Sequence, residues 1–359
     1  MAVSRDAVLK ALEQVIDPEL RRNVVDLDMV RKVEIEGGDV AVTIALTVAG
    51  CPLRSSFQDQ VQNALMPLDE VESVRLDFDV MTPEERGALT ARLRGGVTER
   101  TEGISLDRST RVLAIASGKG GVGKSTLSAN LAVAFDRLGK SVGILDADVY
   151  GHSIPHILGV QQKPVLVDRM IVPPVRGSLK LMSIGFFLDD NQPVMWRGPM
   201  LHRALEQFLT DVHWGELDVL VVDMPPGTGD VAISLGQLLP RAEVVVVTTP
   251  QPAAQEVAAR AAVMAQKTNM RLLGVVENMA GEVFGSGGGD RLAAELGIPL
   301  LGRVPLDPRL REQGDLAVPL VEAEPESETS REIVRIAEAV LAMERERGIG
   351  ITKTLPLVS

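Results

Sequence analysis

At 359 residues and 45% hydrophobic content, the chain is long enough for one sizeable core and a second small one, so two domains are expected. A net charge of −12 sets the surface against non-specific attraction to nucleic acid or anionic lipid. The single cysteine, Cys51, excludes an intrachain disulfide and any metal site built from several cysteines of one chain. No apolar run approaches the ~20 residues of a membrane span, and the start lacks the apolar core of a secretion signal. Neither a membrane nor a nucleic-acid partner is expected, and the expected location is cytoplasmic.

Residues 1–94 read as a small α+β unit. A helix is expected from about Ser4 to Ile16, then strands over Met29–Glu36 and Val40–Val48 around Gly37-Gly38, a hairpin signal. A helix over Pro52–Met66 and a strand over Val71–Val80 complete it. Residues 95–109 are polar, glycine-bearing and poor in apolar side chains, the composition of a linker.

Residues 110–345 alternate short β-branched runs with helical segments: Val112–Ala116, Val142–Leu145, Val219–Val222, Val244–Thr248, Leu272–Val276 and Leu300–Val304. Near-continuous apolar strands between helices imply an α/β domain whose mostly parallel sheet is covered on both faces. Leu127, Leu131, Ala134, Phe135 and Leu138 form one helical stripe that Gly139 ends. A last helix is expected from about Arg331 to Arg345, and residues 346–359 read as a loose tail.

Chemistry concentrates in Gly118-Lys119-Gly120-Gly121-Val122-Gly123-Lys124-Ser125-Thr126, which follows an apolar strand and opens a helix. That setting is what a P-loop requires: glycines let backbone N–H groups close around phosphates at a helix N-terminus. Lys124 is expected to reach the β- and γ-phosphates of ATP, and Ser125 to hold Mg²⁺. Asp223, after Val219–Val222, is the carboxylate expected just behind the Mg²⁺. Asp146 and Asp148 end another strand at the same edge, where ligands of such sheets bind. Asp148 is the candidate for orienting the attacking water, with turn or helix capping as the alternative for both.

With Lys119 included, the loop resembles the deviant P-loop of the MinD/ParA/nitrogenase-reductase class. The resemblance implies a nucleotide-sandwich homodimer in which Lys119 reaches the partner's phosphates; a solvated surface lysine is the other reading. The segments Asp146–Pro155, Trp196–Met200, Asp223–Asp230, Val275–Met279 and Phe284–Gly289 together resemble the Mrp/ApbC family of iron–sulfur cluster carrier ATPases. That resemblance implies an adenine contact for Asn278 and a γ-phosphate-sensing loop at Asp223–Asp230. It also implies iron–sulfur client or scaffold proteins as partners. In the first unit, Asp17-Pro18-Glu19-Leu20, Asn23–Leu27 and Leu46–Leu53 resemble the SufT-like assembly domain often fused ahead of such ATPases.

One departure stands out. The family's Cys-Pro-x-Cys pair, which holds a cluster across two chains, is missing between Met279 and Phe284. Cys51 remains, just before a proline able to open a helix, a place that lowers a thiol pKa. It is a candidate iron–sulfur ligand or nucleophile, or else a small buried hydrophobe at a turn. His152 and His156 are spaced i,i+4, but Pro155 between them argues against a regular helix, and loop or surface histidines are expected.

The expected function is an ATP-binding and ATP-hydrolysing carrier or assembly factor gated by dimerisation, using Cys51 or a client's cysteines for the cluster. The alternative is an ATP-driven protein-binding switch that carries no cluster, which the missing cysteine pair favours. A membrane-positioning ATPase would want a more basic C-terminal helix, and a DNA-partition ATPase conflicts with the acidic balance. A nitrogenase-reductase-like electron donor needs two ligating cysteines per chain, and one is present.

Overall fold

The computed structural model describes residues 3–47, 54–93, 106, 107, 109–149, 151–187, 198–239 and 241–344. Cys51, most of the expected linker and the expected tail lie outside the described residues. The first unit runs α1 (Arg5–Leu12), β1 (Val30–Glu36), β2 (Asp39–Leu46), α2 (Arg54–Leu65), β3 (Ser73–Val80) and α3 (Pro83–Leu93). β1 and β2 pair antiparallel across the Gly37-Gly38 turn, and β3 joins β2 in parallel to make a three-stranded sheet. Val40, Val42 and Ile44, alternate residues of β2, share one buried cluster with Val8, Leu12, Phe57, Val61 and Leu65 of the helices.

Two boundaries in this unit differ from the sequence reading. The first helix stops at Leu12, not Ile16, because the chain tightens there into a turn in which Gln14 N and Val15 N donate to the Ala11 and Leu12 carbonyls at 3.1 and 3.0 Å. Asp17 instead closes a turn, accepting from the backbone N–H groups of Glu19 and Leu20 at 2.8 and 2.9 Å. α3 had no counterpart in the expected elements, yet its start is a capping box. Thr82 Oγ1 accepts from Glu85 N at 3.2 Å, and Glu85 Oε2 accepts from Thr82 N at 2.7 Å.

The second unit is an eight-stranded α/β sheet. Its chain order is β4 (Arg111–Ser117), α4 (Lys124–Arg137), β5 (Val142–Asp146), α5 (Ile154–Ile157), the hairpin β6 (Val165–Val167) and β7 (Met170–Val172), β8 (Val175–Arg176) and β9 (Leu179–Ser183). It continues through α6 (Gly198–Thr210), β10 (Val219–Asp223), α7 (Asp230–Leu238), β11 (Glu243–Thr248), α8 (Pro252–Lys267), β12 (Arg271–Ala280) and α9 (Gly288–Leu296). β13 (Leu300–Pro305), α10 (Pro308–Asp315), α11 (Leu320–Ala323) and α12 (Glu328–Ala342) complete it. The strand order is β13-β12-β11-β4-β10-β5-β9-β8, parallel throughout except the β8–β9 edge pair.

Side-chain alternation divides the interior into two layers. Leu113, Ile115, Val219 and Val221 pack with α4 and α12 on one face, while Ala114, Ala116, Leu220 and Val222 pack with α6, α7 and α8 on the other. Because all central strands run the same way, Ser117, Asp146, Asp223 and Thr248 end at one edge of the sheet. Among the described residues no helix is long and apolar enough to cross a membrane.

The two units meet at the opposite, amino edge. Val167, Met170 and Val172 of the β6–β7 hairpin belong to the first unit's core cluster, and Thr90 Oγ1 donates to the Val167 carbonyl at 3.3 Å. Arg21, in left-handed backbone geometry at φ 55°, donates through Nη1 to Ser141 Oγ at 2.6 Å, immediately before β5. Beside it the buried Lys180 of β9 donates to the His213 carbonyl at 3.1 Å. Burial, then the Arg21 charge, brings the Lys180 ammonium down to about 7, opposed by Asp17. Burial, then Asp17, pushes the Glu19 carboxyl up to about 7.

This seam has a pH signature. Lys180 has a lower pKa folded than unfolded, so between about 7 and its ordinary 10.5 the unfolded chain binds more protons, and stability rises with pH across that window. Glu19 acts below it, between 4.5 and about 7, where stability falls as pH rises. Urea midpoints measured from pH 7 to 10 are expected to climb more steeply in the natural protein than in Lys180→Met. Parallel profiles would show that the seam does not hold down the Lys180 charge.

Candidate nucleotide site

β4 delivers the chain at Ser117, six residues turn, and α4 begins at Lys124. Gly121 and Gly123 take φ of 78° and 79°, a region that side-chain-bearing residues avoid. Gly118 is set by proximity instead: a Cβ there would lie 2.2 Å from the Ala258 backbone nitrogen of α8. Ser117 ties the loop from two sides, its hydroxyl donating to the Lys119 carbonyl at 3.1 Å and its carbonyl accepting from Gly227 N at 2.8 Å. Asn278, on β12, donates from Nδ2 to the Val122 carbonyl at 2.8 Å. Lys119, Gly120 and Gly121 form the exposed rim, whereas Val122 and Lys124 are buried and Ser125 and Thr126 half-buried.

The first turns of α4 converge on Asp223, which has no exposure. Ser125 Oγ donates to its Oδ2 and Ser128 Oγ to its Oδ1, both at 2.6 Å. Lys124 Nζ stands 2.9 Å from Asp223 Oδ2 and 3.9 Å from Asp148 Oδ2. A buried carboxylate is tolerable here because hydroxyls and an ammonium surround it. Asp146 is Asp223's partner in the strand register, and burial, then the Asp223 charge, pushes its carboxyl well above the usual carboxylate range.

The loop after β5 carries Asp148, whose Oδ1 accepts from Gly151 N at 3.1 Å. A turn-capping contact thus coexists with a place 3.9 Å from the Lys124 ammonium. Pro155 occupies the first turn of the one-turn α5, where its missing N–H costs nothing, so a short helix does form where a regular one was not expected. His152 Nδ1 lies 3.4 Å from the Val149 carbonyl. Among the described residues no group of three or more His, Cys, Asp or Glu is arranged to hold a metal ion.

At the end of β12, Gly281 and Gly285 exchange backbone hydrogen bonds of 2.9 and 2.7 Å, closing a tight turn over Glu282, Val283 and Phe284. This turn occupies the place where the resemblance would put a cysteine pair. The buried Glu277 accepts from Gly287 N at 3.0 Å and from Gly289 N, holding the glycine-rich entry to α9.

Ser128, Ser183 and Glu277 were absent from the sequence-predicted site. Ser128 had a readable signal, standing three residues after Ser125 on the same helix face. Chemically, a helix N-terminus opened by left-handed glycines, a buried ammonium and a hydroxyl on a carboxylate suits a phosphate chain with Mg²⁺.

A family model of NUBPL iron-transfer P-loop NTPases matches residues 108–341, and one of iron-sulfur cluster assembly proteins matches residues 5–76. An iron-sulfur cluster carrier protein of Mycobacterium leprae is 48% identical over 358 residues, covering 95% of this chain and 94% of its own. The solved nucleotide-binding protein of Archaeoglobus fulgidus in complex with ADP is 38% identical, with a TM-score of 0.53 over 60% of this chain and 89% of its own. The septum site-determining protein MinD of Pyrococcus horikoshii OT3, complexed with Mg-ADP, shares the fold at 24% identity and a TM-score of 0.52, covering 64% of this chain and 96% of its own.

Gly123 offers a direct test of the loop. An added Cβ would meet Asn278 Nδ2 at 2.3 Å, in backbone geometry that already penalises a side chain. Gly123→Ala is expected to weaken binding of a fluorescent ATP analogue by about 10- to 100-fold. Unchanged affinity would show that this loop is not where the phosphates sit.

Proposed function

The chain belongs to the family of NUBPL iron-transfer P-loop NTPases, and from that membership we propose that it is an iron–sulfur cluster carrier or assembly factor whose homodimer opens and closes with ATP binding and hydrolysis. The observation that carries the reading is the Lys124 ammonium set between Asp223 and Asp148, with Ser125 hydrogen-bonded to Asp223, at the nucleotide edge.

Lys124 leaves Asp223 for the β- and γ-phosphates when ATP enters, and the loop N–H groups take the remaining phosphate oxygens. Ser125, with Asp223 behind it, would hold Mg²⁺, which would supply charge neutralisation of the phosphates. Asn278, beside the loop, contacts adenine. Asp148 orients water toward the γ-phosphorus; a P–O bond forms there as the bond to the bridging oxygen breaks. ADP leaves with the electron pair, and the water's proton passes to the phosphate product. Lys119, on the exposed rim, reaches the phosphates of the second copy and stabilises the charge developing in transfer.

The cargo is an iron–sulfur cluster, taken at Cys51 or on a client's cysteines. The partners are client or scaffold proteins, and the acidic surface leaves nucleic acid and membranes out of the reading. A second reading is favoured by one observation: the turn at Gly281–Gly285 offers Glu282, Val283 and Phe284 and no thiol. In that reading ATP drives a protein-binding switch without a cluster.

Lys124→Ala is expected to abolish nucleotide binding. Lys119→Ala is expected to bind ATP normally and to lose roughly 10³-fold in turnover, and normal turnover would rule out the trans-acting lysine. Iron and acid-labile sulfide after anaerobic reconstitution separate the two readings. A stoichiometric cluster that disappears in Cys51→Ser supports the carrier, whereas no cluster in either protein, with ATPase activity intact, supports the switch.

A further inference from the structure

Ser183 is the last residue of β9 and is completely buried, three strands across the sheet from β4, which leads into the glycine loop. Its hydroxyl donates to Asp146 Oδ2 at 3.0 Å and accepts from Gly185 N at 3.1 Å. The same Oδ2 accepts from Ile154 N at 3.3 Å, while Oδ1 accepts from Asp148 N at 3.2 Å. Asp146 thereby grips the loop at Asp148 and again where α5 begins. Beside these two backbone amides Ser183 brings a side-chain donor, and it anchors the carboxyl group to a neighbouring strand.

A second contact holds the same loop to the same place. His152 lies so close over Gly185 that a Cβ there would come within 2.4 Å of the ring. The loop carrying Asp148 is therefore fastened to the exit of β9 twice, once by a hydroxyl–carboxylate bond and once by packing on a glycine.

We propose that Ser183 is a positioning residue for ATP hydrolysis: by fixing the Asp146 carboxylate it fixes the backbone of Asp148, and so where the attacking water can be oriented. This rests on the ATPase reading given above. A displacement of about 1 Å in such a group is enough to cost two orders of magnitude in rate. The Ser183 hydroxyl is engaged by Asp146 and the Gly185 amide, so its loss is expected to change turnover and to leave binding alone.

Ser183→Ala removes only the oxygen, and Ser183→Thr keeps it. In Ser183→Ala, kcat is expected to fall about tenfold, the size of one buried hydrogen bond, with KM and fluorescent-nucleotide affinity within about twofold of the natural protein. Ser183→Thr is expected to restore most of the loss. An unchanged kcat, or a fall matched by an equal loss of nucleotide affinity, overturns the proposal. Hydrogen exchange reads the same clamp without turnover: the Asp148 and Ile154 amides should exchange about tenfold faster in Ser183→Ala, with those of Val122 and Gly123 unchanged. If the natural protein binds ATP without hydrolysing it, the ATPase reading fails by itself. Unaltered exchange at Asp148 and Ile154 then overturns the clamp independently.

Discussion

A carboxylate sealed from water needs partners within hydrogen-bond reach, and Asp223 draws the nucleotide edge together for that reason. Its donors come from α4: an ammonium at the first position, a hydroxyl at the second and another one turn on. The helix cannot slide or rotate against β10 without stranding one of them. The glycine loop, covalently continuous with α4, inherits that fixity, and α8 backs it where Gly118 leaves room for no side chain. Asp146 then lies beside that charge in the sheet register, where burial and Asp223 push its own carboxyl up, and its buried oxygens require donors, which Asp148, Ile154 and Ser183 supply. The shape of the loop after β5 follows from that requirement.

Much of this was legible from spacing. The loop from Gly118 to Thr126 is coded by consecutive residues, and the strands leading to Ser117, Asp146 and Asp223 announce themselves as short apolar runs. The expected α/β sheet, mostly parallel and covered on both faces, is the one found. Thr82-x-x-Glu85 is also readable as a helix start, although the expected elements hold no helix there.

Other features depend on partners distant in sequence. Ser183 gains meaning only because β9 pairs with β5, and Leu179–Ser183 is short, contains a lysine and carries no periodic signal of its own. Lys180 looks like a surface residue in the sequence and is buried, its ammonium on the His213 carbonyl of its own unit and near Arg21 and Asp17 of the first. The β6–β7 hairpin lies within the second unit's chain yet completes the first unit's core. No local pattern reveals such an exchange.

The seam at the amino edge has a geometric corollary. β5 starts beside Ser141, which Arg21 holds, and ends at Asp146, so the whole depth of the sheet, roughly 15–20 Å, separates the docked first unit from the phosphates. Two copies facing one another across their nucleotide edges would carry these units at opposite poles, with ATP at the equator. Traffic at the poles and chemistry at the equator would then occupy different space, so each copy could exchange with its own client while the dimer stayed shut.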